Sequence, residues 1–198
     1  MTAIVFDLDG TLLHTDEAYR DVLASAIRDV RGDVPERWLE AYDEAFFDLF
    51  PDCEPDPIRR AFARIDGCVD PGPYAKALHR REIASLSPPD HAHADLERLA
   101  GEYTLGVLTN GQREWQLAKL RAHGLEEHFD AVVASYEVGV HKPDLAPFRE
   151  IEERLSARRY GMVGDSDADV DGATGAGWFA HRYDGGRYAD LPADLFPD

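Results

Sequence analysis

The sequence predicts an α/β protein: a doubly wound parallel sheet of the Rossmann kind, with an all-helical segment inserted after its first strand. Two observations carry this. Five short apolar runs, AIVF (3–6), LGVL (105–108), AVVA (131–134), YGMV (160–163) and WFA (178–180), are continuous rather than alternating, as strands covered on both faces are. Helical segments separate the last four runs. A repeated strand–helix order gives a sheet whose ligands gather at the C-terminal ends of its strands.

The elements follow in order. Phe148, Ile151 and Leu155 fall at i, i+3 and i+7 on one helical segment that begins near Pro143. The first strand breaks the rhythm, because the interval to the second is far longer than one crossover needs. That interval reads as helices. Tyr19, Val22, Leu23, Ala26, Ile27 and Val30 form one apolar stripe; Trp38, Leu39, Tyr42, Ala45, Phe46, Leu49 and Phe50 form another. Pro35 suits a helix start, while FPDCEPDP and VDPGP punctuate as loops. Residues 14–87 are therefore expected to be an inserted helical cap with SLSPPD as its exit hinge, leaving 1–13 and 88–198 as the α/β core. The closing DGGRYADLPADLFPD reads as a loosely docked tail.

Composition sets outer limits. A chain of 198 residues with 44% hydrophobic content can bury a good core. No apolar run approaches membrane-spanning length, and MTAIVFDLDG opens into a strand without a signal-peptide pattern. Cys53 and Cys68 have no metal-ligand spacing and are too few for a disulfide scaffold. A reduced, cytoplasmic location is the expectation. Asp plus Glu total 39 against 21 Lys plus Arg, a net charge of −18, and only Lys76, Lys119 and Lys142 are lysine. Such a field opposes nucleic acid and anionic membranes as partners. An acidic surface poor in lysine is similar to that of proteins from salt-accumulating cells. Excess Asp is thus the local background, and no acidic cluster here can be judged by its carboxylate count alone.

Four segments after strand ends carry chemistry. Strand one runs into Asp7-Leu8-Asp9-Gly10-Thr11, and strand two into Thr109-Asn110-Gly111. His141-Lys142-Pro143-Asp144 precedes the helix near 143, and strand four runs into Gly164-Asp165. Each has a plain structural alternative: a turn, a helix cap, a solvated lysine, an acidic surface. The stretch VGDSDADVDGA places Asp165, Asp167, Asp169 and Asp171 at alternate positions. A calcium loop of the EF-hand kind needs glycine at its sixth position and a carboxylate at its twelfth. Starting at Asp167 puts Trp178 at the twelfth; starting at Asp165 puts Val170 at the sixth and Ala176 at the twelfth. Both fail.

Taken together and in this order, DLDGTLLHTDEAY, LTNG, VGVHKPDLAPF and VGDSDADVDGATGAGW resemble the four motifs of the haloacid dehalogenase superfamily, in its phosphatase branch with a helical cap, the branch that includes phosphoglycolate phosphatases. The resemblance implies Mg²⁺-dependent hydrolysis of a small phosphorylated metabolite, by a monomer or homodimer. Asp7 would be the nucleophile, giving an aspartyl-phosphate. Asp9 would serve as general acid and then as general base. Thr109, the backbone N–H of Asn110 and Lys142 would bind phosphoryl oxygens. Asp7, the Asp9 carbonyl and Asp165 would hold Mg²⁺, with Asp169 assigned an outer position and Asp167 and Asp171 counted as background acidity. The metal and Lys142 would then relieve the carboxylate repulsion. Haloacid dehalogenases proper lack the second acid, since displacing halide needs no proton donor, so Asp9 argues against dehalogenation. A phosphoglucomutase-like transferase keeps both acids. A phospho-acceptor signalling module uses Asp, Thr, Lys and Mg²⁺ on a similar sheet, but lacks a cap and a general acid. Phosphoglycolate-like acids, nucleoside monophosphates and sugar phosphates all stay open as substrates.

Overall fold

The computed structural model describes residues 1–196. It divides into two compact units, one of residues Met1–His14 with Pro88–Asp198 and one of Thr15–Ser87. In the first unit, β1 (Thr2–Phe6), β2 (Thr104–Thr109), β3 (Ala131–Ala134), β4 (Arg159–Gly164) and β5 (Phe179–Arg182) form one sheet in the order β3-β2-β1-β4-β5. Every pairing is parallel. β1 is central, so the chain winds out through β2 and β3 and then returns to lay β4 on β1's other side. That reversal opens a crevice at the C-terminal end of β1. All five apolar runs became strands, the last shifted so that Trp178 precedes β5 and buries its ring against Tyr160 and Phe148.

Alternation along β1 sends side chains to both faces. Ala3 and Val5 pack with Phe148, Ile151 and Leu155 of α7 (Leu145–Leu155) and with Ala173 of α8 (Asp167–Ala176). Phe6 meets Phe129 and Tyr188. Two further core helices, α5 (Ala92–Ala100) and α6 (Arg113–Ala122), precede and follow β2, and α9 (Leu191–Leu195) ends the described chain. α7 starts just after Pro143, where the Asp144 carboxylate accepts from the Ala146 N–H at 2.9 Å and so caps the helix.

The C-terminal segment differs from the expectation of a loosely docked tail. Tyr188, Leu191 and Leu195 are buried, and the Tyr188 hydroxyl donates to the Thr11 carbonyl at 2.6 Å. Arg187 pairs with buried Asp95. Its Gly, Asp and Pro content masked three apolar anchors, Tyr188, Leu191 and Leu195, although they stand at i, i+3 and i+7. Pro197 and Asp198, the last two residues of that stretch, lie outside the described residues.

The second unit holds α1 (Tyr19–Arg31), α2 (Glu36–Leu49), α3 (Pro57–Ala63) and α4 (Gly72–Ser85). Most of both stripes is buried, with Tyr42 and Phe62 rings 4.6 Å apart, but Tyr19 and Val30 are exposed at the stripe's ends. The Arg81 guanidinium grips Asp29 through two bonds of 2.7 and 2.6 Å, tying α4 to α1. Cys53 and Cys68 form no disulfide.

Most ion pairs are surface Arg–carboxylate contacts such as Arg149–Glu152 and Arg121–Glu126, each worth about 0–1 kcal/mol and weakened by salt. The −18 excess acts over longer distances and opposes folding at low ionic strength. Its screening should win. The melting temperature is expected to rise from low salt to molar KCl; a melting temperature indifferent to KCl would show that the net repulsion is negligible.

Candidate active site

The four strand-end segments meet in the α/β unit. Asp7, Asp9, Thr109, Asn110, Lys142, Asp165 and Ser166 line one cavity of about 220 Å³. Register explains three of the four. Phe6 is level with Val107 and Val163 on its two neighbours, so the residues just past all three strands emerge together. The Asp7 N–H donates to the Val163 carbonyl at 2.8 Å, extending the pairing one residue beyond β1. Gly10 then turns the chain with a φ of 89°, and a Cβ there would strike the Asp165 carboxyl. Only glycine satisfies both constraints.

Lys142 organises the centre. It is buried, and its ammonium donates to Asp7 Oδ1 at 2.6 Å, Asp169 Oδ1 at 2.5 Å and the Leu108 carbonyl at 2.8 Å. All three of its protons are placed. Burial works against its charge, but the two carboxylates outweigh that and raise its pKa. Asp7 is pushed up to about 7 by burial, with Lys142 pulling down and Asp169 pushing up. One ammonium shared between two buried carboxylates leaves Asp7 short of positive charge.

Asp169 is spoken for on both oxygens. Its Oδ1 takes Lys142, while Oδ2 accepts from Ser166 Oγ at 2.6 Å and the Ser166 N–H at 3.1 Å in a capping box at the start of α8. Gly164 is what admits it, since a Cβ there would overlap the Asp169 carboxyl. Asp165 stands exposed at the cavity, while Arg182 donates to its backbone carbonyl at 2.6 Å and pairs with Asp167. Asp171 is exposed. The four carboxylates of the stretch thus occupy four different environments.

Carboxylate oxygens of Asp7, Asp165 and Asp169 lie within 4.8 Å of one another. This donor set fits a hard divalent cation such as Mg²⁺, which favours carboxylate and water oxygens. Asp7 and Asp165 would supply the ligand atoms, and Asp169 would sit behind them, its oxygens already occupied. The charge deficit at Asp7 is a second sign of fit, because a cation there would offset the burial.

Asn110 and Lys142 lock the second and third segments together. Asn110 Oδ1 accepts from the Lys142 N–H at 2.9 Å, and Asn110 Nδ2 donates to the Lys142 carbonyl at 3.4 Å. Gly111 donates to Ser135 Oγ at 2.9 Å, and that hydroxyl also meets His141 Nδ1 at 2.7 Å. Thr109 is buried, with its Oγ1 accepting from Gln116 Nε2 at 2.8 Å.

Two residues of this constellation went unassigned in the sequence. Lys119 Nζ lies 2.9 Å from both carboxylate oxygens of Asp9, and Gln116 Nε2 donates to Asp9 Oδ2 at 2.9 Å. Both sit on α6, three residues apart and so on one face. A signal existed: in a chain with three lysines, one on the helix straight after Thr109-Asn110-Gly111 is conspicuous.

The C-terminal end of the central strand in a parallel sheet, where these acids gather, is where α/β proteins bind their ligands. Residues 1–177 match the family of haloacid dehalogenase-like hydrolases, and the chain belongs to that family. It is 33% identical to the phosphoglycolate phosphatase of Mesorhizobium japonicum over 88% of this chain and 78% of that one. Among solved structures it is similar to a HAD phosphatase from Thermococcus onnurineus, with TM-score 0.73, 25% identity and coverage of 100% and 99% of the two chains. It is also similar to a 2-haloacid dehalogenase from Pseudomonas syringae pv. Tomato DC3000, with TM-score 0.71, 25% identity and 98% of each chain covered. Among the described residues, no helix is long and apolar enough to cross a membrane.

Proposed function

We propose that this hydrolase is a Mg²⁺-dependent phosphomonoesterase that forms an aspartyl-phosphate on Asp7 and acts on a small phosphorylated metabolite. The observation that carries this is the pair of acids on one cavity: Asp7 buried against Lys142, and Asp9 two residues on with its carboxyl 43% exposed. A deep nucleophile and a solvent-reaching acid–base group suit the two halves of phosphoryl transfer. The cavity of about 220 Å³ has room for a phosphoryl group between these residues. The name of the Mesorhizobium japonicum relative supports a small phosphorylated acid in particular.

In this mechanism an Asp7 oxygen attacks phosphorus, and the bond from phosphorus to the leaving oxygen breaks. Asp9 gives that oxygen a proton. Asp9 then takes a proton from the water that attacks the phosphoaspartate, and Asp7 and inorganic phosphate are released. Thr109 Oγ1, which accepts from Gln116, keeps its own proton for a phosphoryl oxygen, the Asn110 N–H binds another, and Lys142 offers these oxygens its positive charge. When bound, Mg²⁺ supplies positive charge to the phosphoryl oxygens and to Asp7. Residues 15–87 are proposed as the cap that selects the rest of the substrate, and the protein as a cytoplasmic monomer or homodimer with neither nucleic acid nor membrane as partner.

A panel of monophosphates assayed in high KCl tests the activity. Phosphate release from an aryl phosphate is expected with Mg²⁺ and should stop with chelator, with no halide released from 2-chloropropionate. Halide release without phosphate release would overturn the proposal. Asp9→Asn is expected to slow turnover by about 10²–10⁴-fold, less for a nitrophenyl ester, whose leaving group needs little protonation. Equal losses on alkyl and aryl esters would count against the acid–base role.

A further inference from the structure

We propose that Lys119 is a positioning residue for Asp9: together with Gln116 it fixes the carboxyl that moves protons, although it is not itself among the residues lining the cavity. The inference rests on the phosphomonoesterase reading and adds a residue outside its strand-end segments. Lys119 comes from α6 and is only 3% exposed, whereas its partner carboxyl is 43% exposed. A carboxyl so open to solvent would otherwise rotate about its side-chain bonds. Two contacts of 2.9 Å from one ammonium to both oxygens define the plane of the group, and the 2.9 Å bond from Gln116 defines its direction. The same amide nitrogen reaches Thr109 Oγ1 at 2.8 Å and the Asn110 carbonyl at 3.1 Å. Asp9 is thereby tied to the loop proposed to bind the phosphoryl group.

The plainer alternative is a buried ion pair that merely stabilises the fold. The chain's use of basic residues argues against it. Eighteen of its 21 basic residues are arginine, and they make the surface pairs. Of the three lysines, Lys76 is exposed on α4, and the other two are buried on the two acids of the first segment: Lys142 on Asp7 and Lys119 on Asp9. Lysine is thus used where a compact, buried ammonium meets a site carboxylate, and arginine where exposed charges pair. A stabilising pair would also gain little here, because so exposed a partner remains hydrated when the lysine is removed.

The test is a double-mutant cycle with Asp9→Asn and Lys119→Met, using nitrophenyl phosphate and the best alkyl monophosphate of the panel. Lys119→Met is expected to lower kcat about 10²-fold, as for a reacting group displaced by about an ångström, with KM nearly unchanged. The loss should be larger on the alkyl ester, as for Asp9→Asn itself. The double variant should be no slower than Asp9→Asn alone, because Lys119 acts only through Asp9. Lys119→Arg, which keeps the charge, should recover part of the loss. Should Lys119→Met not fold, Lys119→Gln takes its place in the same cycle. Wild-type turnover in Lys119→Met, or a loss that multiplies with that of Asp9→Asn, overturns the inference while leaving the phosphomonoesterase standing. Normal turnover in Asp9→Asn would instead remove the acid–base role, and this inference with it.

Discussion

Lys142→Met is expected to reduce phosphate release by at least about 10²–10³-fold, the range for losing one donor to developing charge. It should also lower folding stability by about 3–5 kcal/mol, as when one partner of a buried ion pair is removed. The two losses share one cause. Lys142 Nζ stands between Asp7 and Asp169 at 2.6 and 2.5 Å, and without it two buried carboxylates face each other. One of them must take up a proton. Asp7 is already pushed up to about 7 by burial despite the lysine, so its nucleophilic form would become scarce at neutral pH. Replacing Asp169 as well, in Lys142→Met/Asp169→Leu, should restore part of the stability by removing the stranded acid, but none of the turnover. Urea denaturation and phosphate release separate these effects. Turnover near wild type in Lys142→Met would mean that Lys142 serves the fold alone.

Asp165→Asn is expected to collapse turnover and to raise the Mg²⁺ concentration needed for half-maximal rate, because it weakens one of the two carboxylates proposed to hold the metal. Its neighbours separate cleanly. Asp169→Asn should be milder, about 10–100-fold, since Asp169 orients Lys142 and Ser166 rather than offering a vacant oxygen. Asp167 and Asp171 are exposed, with Asp167 paired to Arg182, and their Asn variants should leave turnover nearly unchanged. Mg²⁺ titrations of the four variants check this. Four similar losses would point to diffuse acidity; a near-normal Asp165→Asn would remove it from the metal site.

Much of this was legible in the sequence, for physical reasons. The strands announced themselves because a sheet covered on both faces requires continuous apolar runs, and Ile4 to Phe6 or Val132 to Ala134 have no polar position to confuse them. The strand-end segments were legible because a parallel sheet brings residues distant in sequence to one edge. Contacts made by ordinary-looking side chains across elements were not. Lys119 and Gln116 reach Asp9 from a helix more than a hundred positions along the chain; the scarcity of lysine sets Lys119 apart, but nothing in the sequence says which carboxylate it meets. The C-terminal anchors were missed for a related reason: Tyr188 earns its burial from Phe6 and Thr11, partners that only the fold supplies. Asp169 was legible as a member of the site, but its double engagement with Lys142 and Ser166 was not.

The most direct measurement is to trap the phosphorylated protein and locate the phosphoryl group. In Asp9→Asn, a nitrophenyl phosphate should still load Asp7, because its leaving group needs little protonation, while hydrolysis of the phosphoaspartate should be slow for want of a base. Acid quenching and peptide mapping by mass spectrometry should then find the label on Asp7. Nitrophenol released with the phosphoryl group on another residue, or steady turnover in this variant with Asp7 never labelled, would contradict the proposed chemistry.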